Sequence, residues 1–139
     1  MQNPLRKGFI DPLVSNVSLS EIERHIRALS VDIGLRDTTA TQVEAANYIA
    51  DQLMGFGYAV IRAPVDSSEN VIAKLPGQLN PDKTFVIGAH FDTVPGSPGA
   101  DDNASAVAGM LDVATRNHKC LGPQSSQFWD QINCNYPVS

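Results

Sequence analysis

The sequence lacks the features that mark membrane proteins, nucleic-acid-binding proteins and disulfide-rich proteins. Its 139 residues contain no apolar run near the roughly 18 residues of a membrane span. The formal charge is −5 and no basic cluster exceeds Arg6-Lys7, which argues against nucleic acid. Cys120 and Cys134 are too few for a disulfide scaffold and fit no common zinc motif, so we expect free thiols. We therefore predict neither a membrane partner nor a nucleic-acid partner.

Residues 1–17 predict an irregular lead-in rather than a targeting segment. They hold a basic pair, but Asp11 and Pro12 interrupt the apolar stretch that a signal peptide needs. We therefore expect either a cytoplasmic protein or a true N-terminus that lies upstream. The hydrophobic content of the chain, 42%, is typical of a folded globular domain.

Two amphipathic helices are predicted in the first half of the chain. Ser20 with Glu23, and Thr41 with Glu44, have the spacing of a capping box. An apolar residue every three or four positions follows each box, and glycine ends each helix. The first stripe is Ile22, Ile26, Leu29 and Ile33, before Gly34. The second is Val43, Ala46, Ile49, Ala50 and Leu53, before Gly55 and Gly57.

The apolar pattern then changes to short runs of strand length. Residues 58–61 form one such run, closed by Pro64, and residues 70–75 form another. Residues 84–89 (TFVIGA) are almost continuously apolar, as in a strand buried on both faces of a sheet. Residues 104–115 predict a third helix. The order helix, helix, strand, strand, strand, helix favours a layered α/β fold.

Residues 88–105 (GAHFDTVPGSPGADDNAS) carry the residues best suited to chemistry. In an extended chain His90 and Asp92 point to the same side, so the carboxylate can support an imidazole that binds a metal. Asp101 and Asp102 precede a helix, and a cation would relieve the repulsion between them. Alone, such a histidine is more often an ordinary polar residue, and such an acidic pair more often caps a helix. The combination with the intervening Gly/Pro loop is more specific.

The motifs GAHFDTVPG and GADDNAS resemble the signature of the co-catalytic di-zinc aminopeptidases. This zinc exopeptidase family includes bacterial leucine aminopeptidases, glutamate carboxypeptidase and glutaminyl cyclase. The segments AANYIADQLMGFGYAV and NVIAKLPG are similar to it as well. The resemblance covers roughly residues 20–116 and implies an incomplete three-layer αβα zinc-exopeptidase-like fold.

The resemblance also implies roles for individual residues. His90 corresponds to a zinc ligand, Asp92 to the acid that orients it, and Asp102 to the carboxylate that bridges two zinc ions. Asp101 corresponds to no ligand. A cis peptide bond often follows the bridging aspartate in the family, here Asp102–Asn103. The implied activity is zinc-dependent hydrolysis of N-terminal peptide bonds in a peptide or amino-acid-derivative substrate.

Part of the family's machinery has no counterpart in this sequence. The general-base glutamate comes after the third helix in the family, but the chain has no glutamate after Glu69. Asp112 falls inside the predicted third helix, and His118 matches no family motif. We therefore expect residues 18–116 to be a partial domain, inactive alone. Residues 117–139 resemble the atypical tail that a truncation or frameshift would leave.

Two other interpretations remain open at this stage. His90-Phe91-Asp92-Thr93-Val94-Pro95 also resembles the H-x-D-x-V-P motif of the other di-zinc exopeptidase and deacylase group. In that group the bridging aspartate follows after a longer insertion, so the nearby Gly-Ala-Asp-Asp favours the aminopeptidase family. A non-catalytic module that binds a peptide or a partner is the third interpretation.

Overall fold

The computed structural model describes residues 17–75 and 84–120, with side chains through residue 116. Helix α1 (Leu19–Arg27) continues into π-helical turns (Ala28–Ile33), and helix α2 spans Thr39–Gly55. Strands β1 (Ala59–Val65) and β2 (Ser68–Lys74) follow. A kinked turn (Ala100–Ser105) leads into helix α3 (Ala106–Cys120). These residues form a mixed α/β structure with three α-helices and one two-stranded antiparallel sheet.

Both predicted N-caps lie too far along the chain. Ser18, not Ser20, caps α1 through an Oγ that accepts the N–H of Glu21 at 3.4 Å. Thr38 caps α2 in a reciprocal capping box with Thr41, so Thr41 lies inside the helix. The box at Thr38 was missed because threonine, rather than glutamate or glutamine, closes it. The predicted end at Gly34 is confirmed, where a φ of 80° ends the π-helical turns.

The core lies between the three helices, as their apolar stripes predict. Its fully or almost fully buried members are Leu29, Ala45, Ala46, Ile49, Ala50, Leu53, Ala104, Val107, Ala108 and Leu111. Ile26 and Ile33 pack against this cluster. Val43, assigned to the second stripe, is instead 41% exposed, and Ala45 takes its place in the core. The pattern placed the buried face of α2 correctly except at Val43.

The two strands form a hairpin that packs on α2. Their register runs from the pair Ala59 and Lys74 to the pair Val65 and Ser68, around a turn at Asp66 and Ser67. Pro64, expected to close the first strand, lies within β1 opposite Glu69. Proline is tolerated there because β1 has a partner on one side only within the described residues. The second predicted strand is confirmed.

The third predicted strand is wrong for the described residues. The structure assigns no strand to residues 84–94, and Phe85, Val86 and Ile87 are 81%, 88% and 61% exposed. A strand needs a neighbouring strand to pair with, and the hairpin pairs only with itself in the described part of the chain. The α/β class is therefore observed, whereas the three-layer arrangement stays a prediction.

The two ends of the chain fall largely outside the described residues. The predicted lead-in (1–17) is described only at its last residue, and the predicted tail (117–139) only in the backbone of residues 117–120. That backbone continues α3, so the helix extends to Cys120, beyond its predicted end. Predictions for the side chains of His118, Cys120 and Cys134 lie outside the described residues. Asp112, predicted as a solvated or packing position, is buried and paired with Arg116 at 2.9 Å.

Candidate metal centre

The predicted site residues lie on two short segments that meet beside the start of α3. His90 and Asp92 lie in the irregular segment that leads to the Gly/Pro loop, and Asp102 lies in the kinked turn. Asp102 and Asn103 leave the helical conformation within this turn, and the peptide bond between them is cis. The cis bond expected from the resemblance is therefore present.

The imidazole of His90 lies between two carboxylates. Its Nδ1 is 3.1 Å from Asp92 Oδ1, and its Nε2 is 2.9 Å from Asp102 Oδ1. Asp92 thus contacts His90 from two positions further along the chain, on the same side, as the spacing predicts. The structure brings all three predicted residues together.

Each ring nitrogen of His90 faces one carboxylate. A neutral imidazole carries a single N–H, which can satisfy only one of the two carboxylates. If Nδ1 donates that proton to Asp92, Nε2 presents a lone pair toward Asp102 Oδ1. Two electron-rich atoms 2.9 Å apart require a shared proton or a cation between them. A carboxylate–histidine pair with a free Nε2 is the usual support of a metal-binding histidine.

Asp101 lies outside this cluster although it precedes Asp102 in the chain. Its backbone carbonyl accepts the Ser105 hydroxyl at 2.7 Å, a local contact of the turn. Neither carboxylate contact of His90 involves Asp101. Of the two adjacent aspartates, the structure places Asp102 against the imidazole.

The three side chains are accessible to solvent. The side chains of His90, Asp92 and Asp102 are 53%, 58% and 79% exposed. Beside His90 and Asp92 lies an open depression of about 390 Å³. Its other lining residues are Gln42, the hairpin turn 65–70, Ala89 and Phe91. The site therefore opens onto a surface large enough for a small ligand.

Among the described residues, His90 and Asp102 are the two predicted metal ligands, fewer than a complete centre needs. They contain no group of three or more His, Cys, Asp or Glu side chains that could hold a metal ion. A catalytic zinc typically has three protein ligands. The facing atoms of His90 and Asp102 nevertheless suit zinc, because imidazole nitrogen and carboxylate oxygen both bind it. The donor set fits one edge of a zinc site.

A buried arginine beside the site was not predicted from the sequence. Arg36, in the connection between the π-helical turns and α2, has no exposed surface. Burial lowers the pKa of its guanidinium, and the negative charge of Asp92 partly opposes that effect. No feature of the sequence pointed to Arg36. It is an isolated charged residue between two helices, where neither an apolar period nor a motif marks it.

A stretch of the chain that contains all three site residues matches a known family. Residues 70–127 match the model of Peptidase family M28. The chain is 27% identical over 127 residues to a "Probable leucine aminopeptidase" of Arthroderma otae, with 81% of this chain and 33% of that protein covered. No solved structure matched with significance.

Two further relatives carry metalloprotease names. A "Probable zinc metalloprotease" of Pyricularia oryzae is 30% identical over 134 residues, covering 70% of this chain and 26% of that protein. "Endoplasmic reticulum metallopeptidase 1" of Mus musculus is 30% identical over 102 residues, covering 73% and 10%. The chain spans about a third or less of the length of these relatives. The chain thus resembles the co-catalytic zinc exopeptidases of Peptidase family M28, and the resemblance inferred from its motifs is confirmed.

Proposed function

We propose that this chain contributes part of the zinc site of an aminopeptidase-like metallopeptidase, which hydrolyses N-terminal peptide bonds. The observation that carries the proposal is the convergence of His90 Nε2 and Asp102 Oδ1 at 2.9 Å, with Asp92 on the other ring nitrogen. The names of the relatives, leucine aminopeptidase and zinc metalloprotease, support the same activity. The proposed substrate is a peptide or an amino-acid derivative.

Each site residue has a separate task in this proposal. His90 and Asp102 would hold zinc, and Asp102 would bridge two ions in a complete centre. Asp92 would fix the orientation of the imidazole and keep its proton on Nδ1, which leaves Nε2 free. Bound zinc supplies an activated water and a polarised scissile carbonyl. The depression beside His90 and Asp92 would admit the substrate.

The proposal also states what this chain does not supply. Two ligands are fewer than a catalytic zinc typically needs, and the sequence has no glutamate after Glu69 to act as the family's general base. We therefore expect weak zinc binding and no hydrolysis by the 139-residue chain alone.

Zinc titration of the purified chain tests this proposal. We expect binding that is lost on adding a chelator and weakened at least about 10-fold by His90→Ala or Asp102→Asn. Asp101→Asn is the matched control, because it removes the neighbouring carboxylate and leaves the two ligands in place. Equal weakening by both aspartate variants would contradict the assignment of Asp102.

Hydrolysis of leucine 4-nitroanilide provides the second measurement. We expect none from the chain alone. Zinc-dependent hydrolysis that survives both His90→Ala and Asp102→Asn would overturn the proposed site. The other di-zinc exopeptidase and deacylase group predicts instead the hydrolysis of N-acylated amino acids.

A non-catalytic peptide-binding module is the second candidate, and the depression beside His90 favours it. It predicts a chain whose fold does not change when a chelator is added and whose affinity for peptides is the same with and without zinc. Isothermal titration with a leucine-initiated peptide, in zinc and in chelator, separates the two candidates.

A further inference from the structure

We propose that Arg36 is a positioning residue for the metal centre, and that it acts by joining the segment of His90 and Asp92 to the segment that leads to Asp102. That Arg36 positions metal ligands rests on the proposed function. The structural part of the inference, the joining of the two segments, is tested separately. The hydrogen bonds of the Arg36 guanidinium go to backbone carbonyl oxygens around the site, and its charge acts on Asp92 as well.

Arg36 first fixes the segment that carries His90 and Asp92. Its Nε donates to the carbonyl oxygen of Phe91, the residue between them, at 2.6 Å. Its backbone N–H donates to Thr93 Oγ1 at 3.0 Å, and its carbonyl oxygen accepts the Thr93 N–H at 3.2 Å. Three hydrogen bonds therefore hold the chain immediately after His90.

Arg36 also fixes the approach to Asp102. Its terminal nitrogens donate to the carbonyl oxygens of Pro98 at 2.9 Å and Gly99 at 3.1 Å. The same Gly99 oxygen accepts the N–H of Ala104, on the far side of Asp102, at 3.0 Å. The guanidinium thus holds the end of the Gly/Pro loop from which the turn at Asp102 departs.

The anchor of this arrangement is the end of the first helical region. Arg36 Nη1, the nitrogen that faces Pro98, also lies within hydrogen-bond distance of the carbonyl oxygens of Leu29 at 2.6 Å and Gly34 at 2.7 Å, so three acceptors share its two hydrogens. Leu29 is fully buried in the core. Arg36 therefore connects both site segments to the packed helices. The side chains of the site residues are themselves exposed.

Arginine suits this position better than lysine. A guanidinium spreads five N–H donors over a rigid plane, whereas an ammonium offers three donors from one point. Lysine would therefore leave buried carbonyl oxygens without donors, which is costly. Gly99 completes the fit, because a Cβ there would lie 2.9 Å from the guanidinium and 2.4 Å from both Asp102 O and Thr93 Cγ2.

The test compares Arg36→Lys with Arg116→Lys. Arg116 forms a partly buried pair with Asp112 in α3, so the control makes the same substitution away from the contacts of Arg36. We expect Arg36→Lys to weaken zinc binding about 10-fold, as for other outer supports of a metal ligand, and Arg116→Lys to leave it unchanged. Far-UV circular dichroism confirms that each variant is folded.

A zinc-free measurement separates this inference from the proposed function. Nitrogen-15 spectra of the His90 ring in the zinc-free chain report whether the ring is held between Asp92 and Asp102. We expect two distinct, hydrogen-bonded ring-nitrogen signals in the wild type and averaged signals in Arg36→Lys. If the wild type binds no zinc, the proposed function fails, and the ring spectra still decide whether Arg36 orders the segment. An unchanged zinc affinity together with unchanged ring spectra would overturn the role of Arg36.

A milder pair of variants covers the case in which Arg36→Lys does not fold. Thr93→Val removes the hydroxyl that accepts the Arg36 backbone N–H, while Thr93→Ser retains it. We expect Thr93→Val to weaken zinc binding several-fold and to disturb the His90 ring, and Thr93→Ser to restore most of both. Identical behaviour of the two variants would contradict the proposal.

Discussion

The helical core is held by apolar packing, and the segment that carries His90 and Asp92 is held largely by hydrogen bonds to Arg36. In the core, apolar stripes on three helices meet, and Leu29, Val107 and Leu111 have no exposed surface. In residues 84–99 the most apolar stretch faces outward, and buried Arg36 binds several of the segment's backbone groups. Packing orders the first region, whereas the second is held by the contacts of Arg36 across more than fifty residues together with the packing of Ala89 and Phe91 against the core.

Substitutions in the two regions should therefore have different effects on the free energy of unfolding. Removing apolar surface from the core costs free energy through lost burial and through the cavity left behind. Removing an exposed apolar side chain costs little. The site therefore depends on the hydrogen bonds that reach its backbone as well as on the packing of Phe91, and not on the exposed side chains of Phe85 and Val86.

The largest expected effect comes from a cavity in the core. Leu111→Ala should reduce the free energy of unfolding by about 3 kcal/mol, because Leu111 is fully buried against the other helices. Urea unfolding followed by circular dichroism measures it. A loss below about 1 kcal/mol would mean that the helices are not packed as described.

The same substitution in both regions sharpens the comparison. Val107→Ala, at a position with no exposure, should cost about 2 kcal/mol, whereas Val86→Ala, 88% exposed, should cost less than about 0.5 kcal/mol. Equal losses from the two variants would break the distinction, because they would show that residues 84–89 are buried in solution.

The core also contains a histidine that makes its stability depend on pH. Burial, reinforced by the neighbouring charge of Arg24, lowers the pKa of His25 from 6.5 to about 4, while Tyr48 Oη lies 2.7 Å from its Nδ1. The unfolded chain therefore binds a proton more readily than the folded chain. This contribution is present above pH 6.5 and is lost as the pH falls toward 4.

A variant without the imidazole isolates that effect. Between pH 6.5 and pH 4.5 the wild type should lose about 2 kcal/mol more unfolding free energy than His25→Gln. Urea unfolding at several pH values measures both, and carboxylates shared by the two chains cancel in the difference. Parallel pH profiles would show that His25 is solvated.

The smallest effect tests where α2 begins. Thr38→Ala should cost about 1 kcal/mol, because it removes the oxygen that accepts the Thr41 N–H. Glu44→Ala should change the stability by less than about 0.5 kcal/mol, because the Thr41–Glu44 box predicted from the sequence does not form. Thermal unfolding of the two variants ranks them, and a reversed ranking would restore the sequence-based cap.

Sequence reasoning succeeded where local pattern decides the structure. The buried faces of the helices followed from apolar period, and the grouping of His90, Asp92 and Asp102 followed from motif and spacing. It failed at residues 84–89, because an apolar run predicts burial without showing which neighbour covers it. It also missed Arg36, because its partners at Phe91 and Gly99 come together only after folding.

The sequence also led to expectations about membranes, cellular location, nucleic acid and the C-terminal tail. None of the helices in the described part of the chain combines the length and hydropathy that crossing a membrane requires. The cytoplasmic location, the lack of a nucleic-acid partner and the origin of the tail stay predictions. The grouping of His90, Asp92 and Asp102 is observed, and the zinc site that they would form stays a proposal.

The most direct test of the metal centre is an anomalous-difference map from crystals of the chain grown with zinc. The account predicts a zinc peak about 2.0–2.2 Å from both His90 Nε2 and an Asp102 carboxylate oxygen. His90 Nδ1 should still contact Asp92. A zinc-free site, or a peak bound through other residues while His90 and Asp102 contact each other directly, would contradict it.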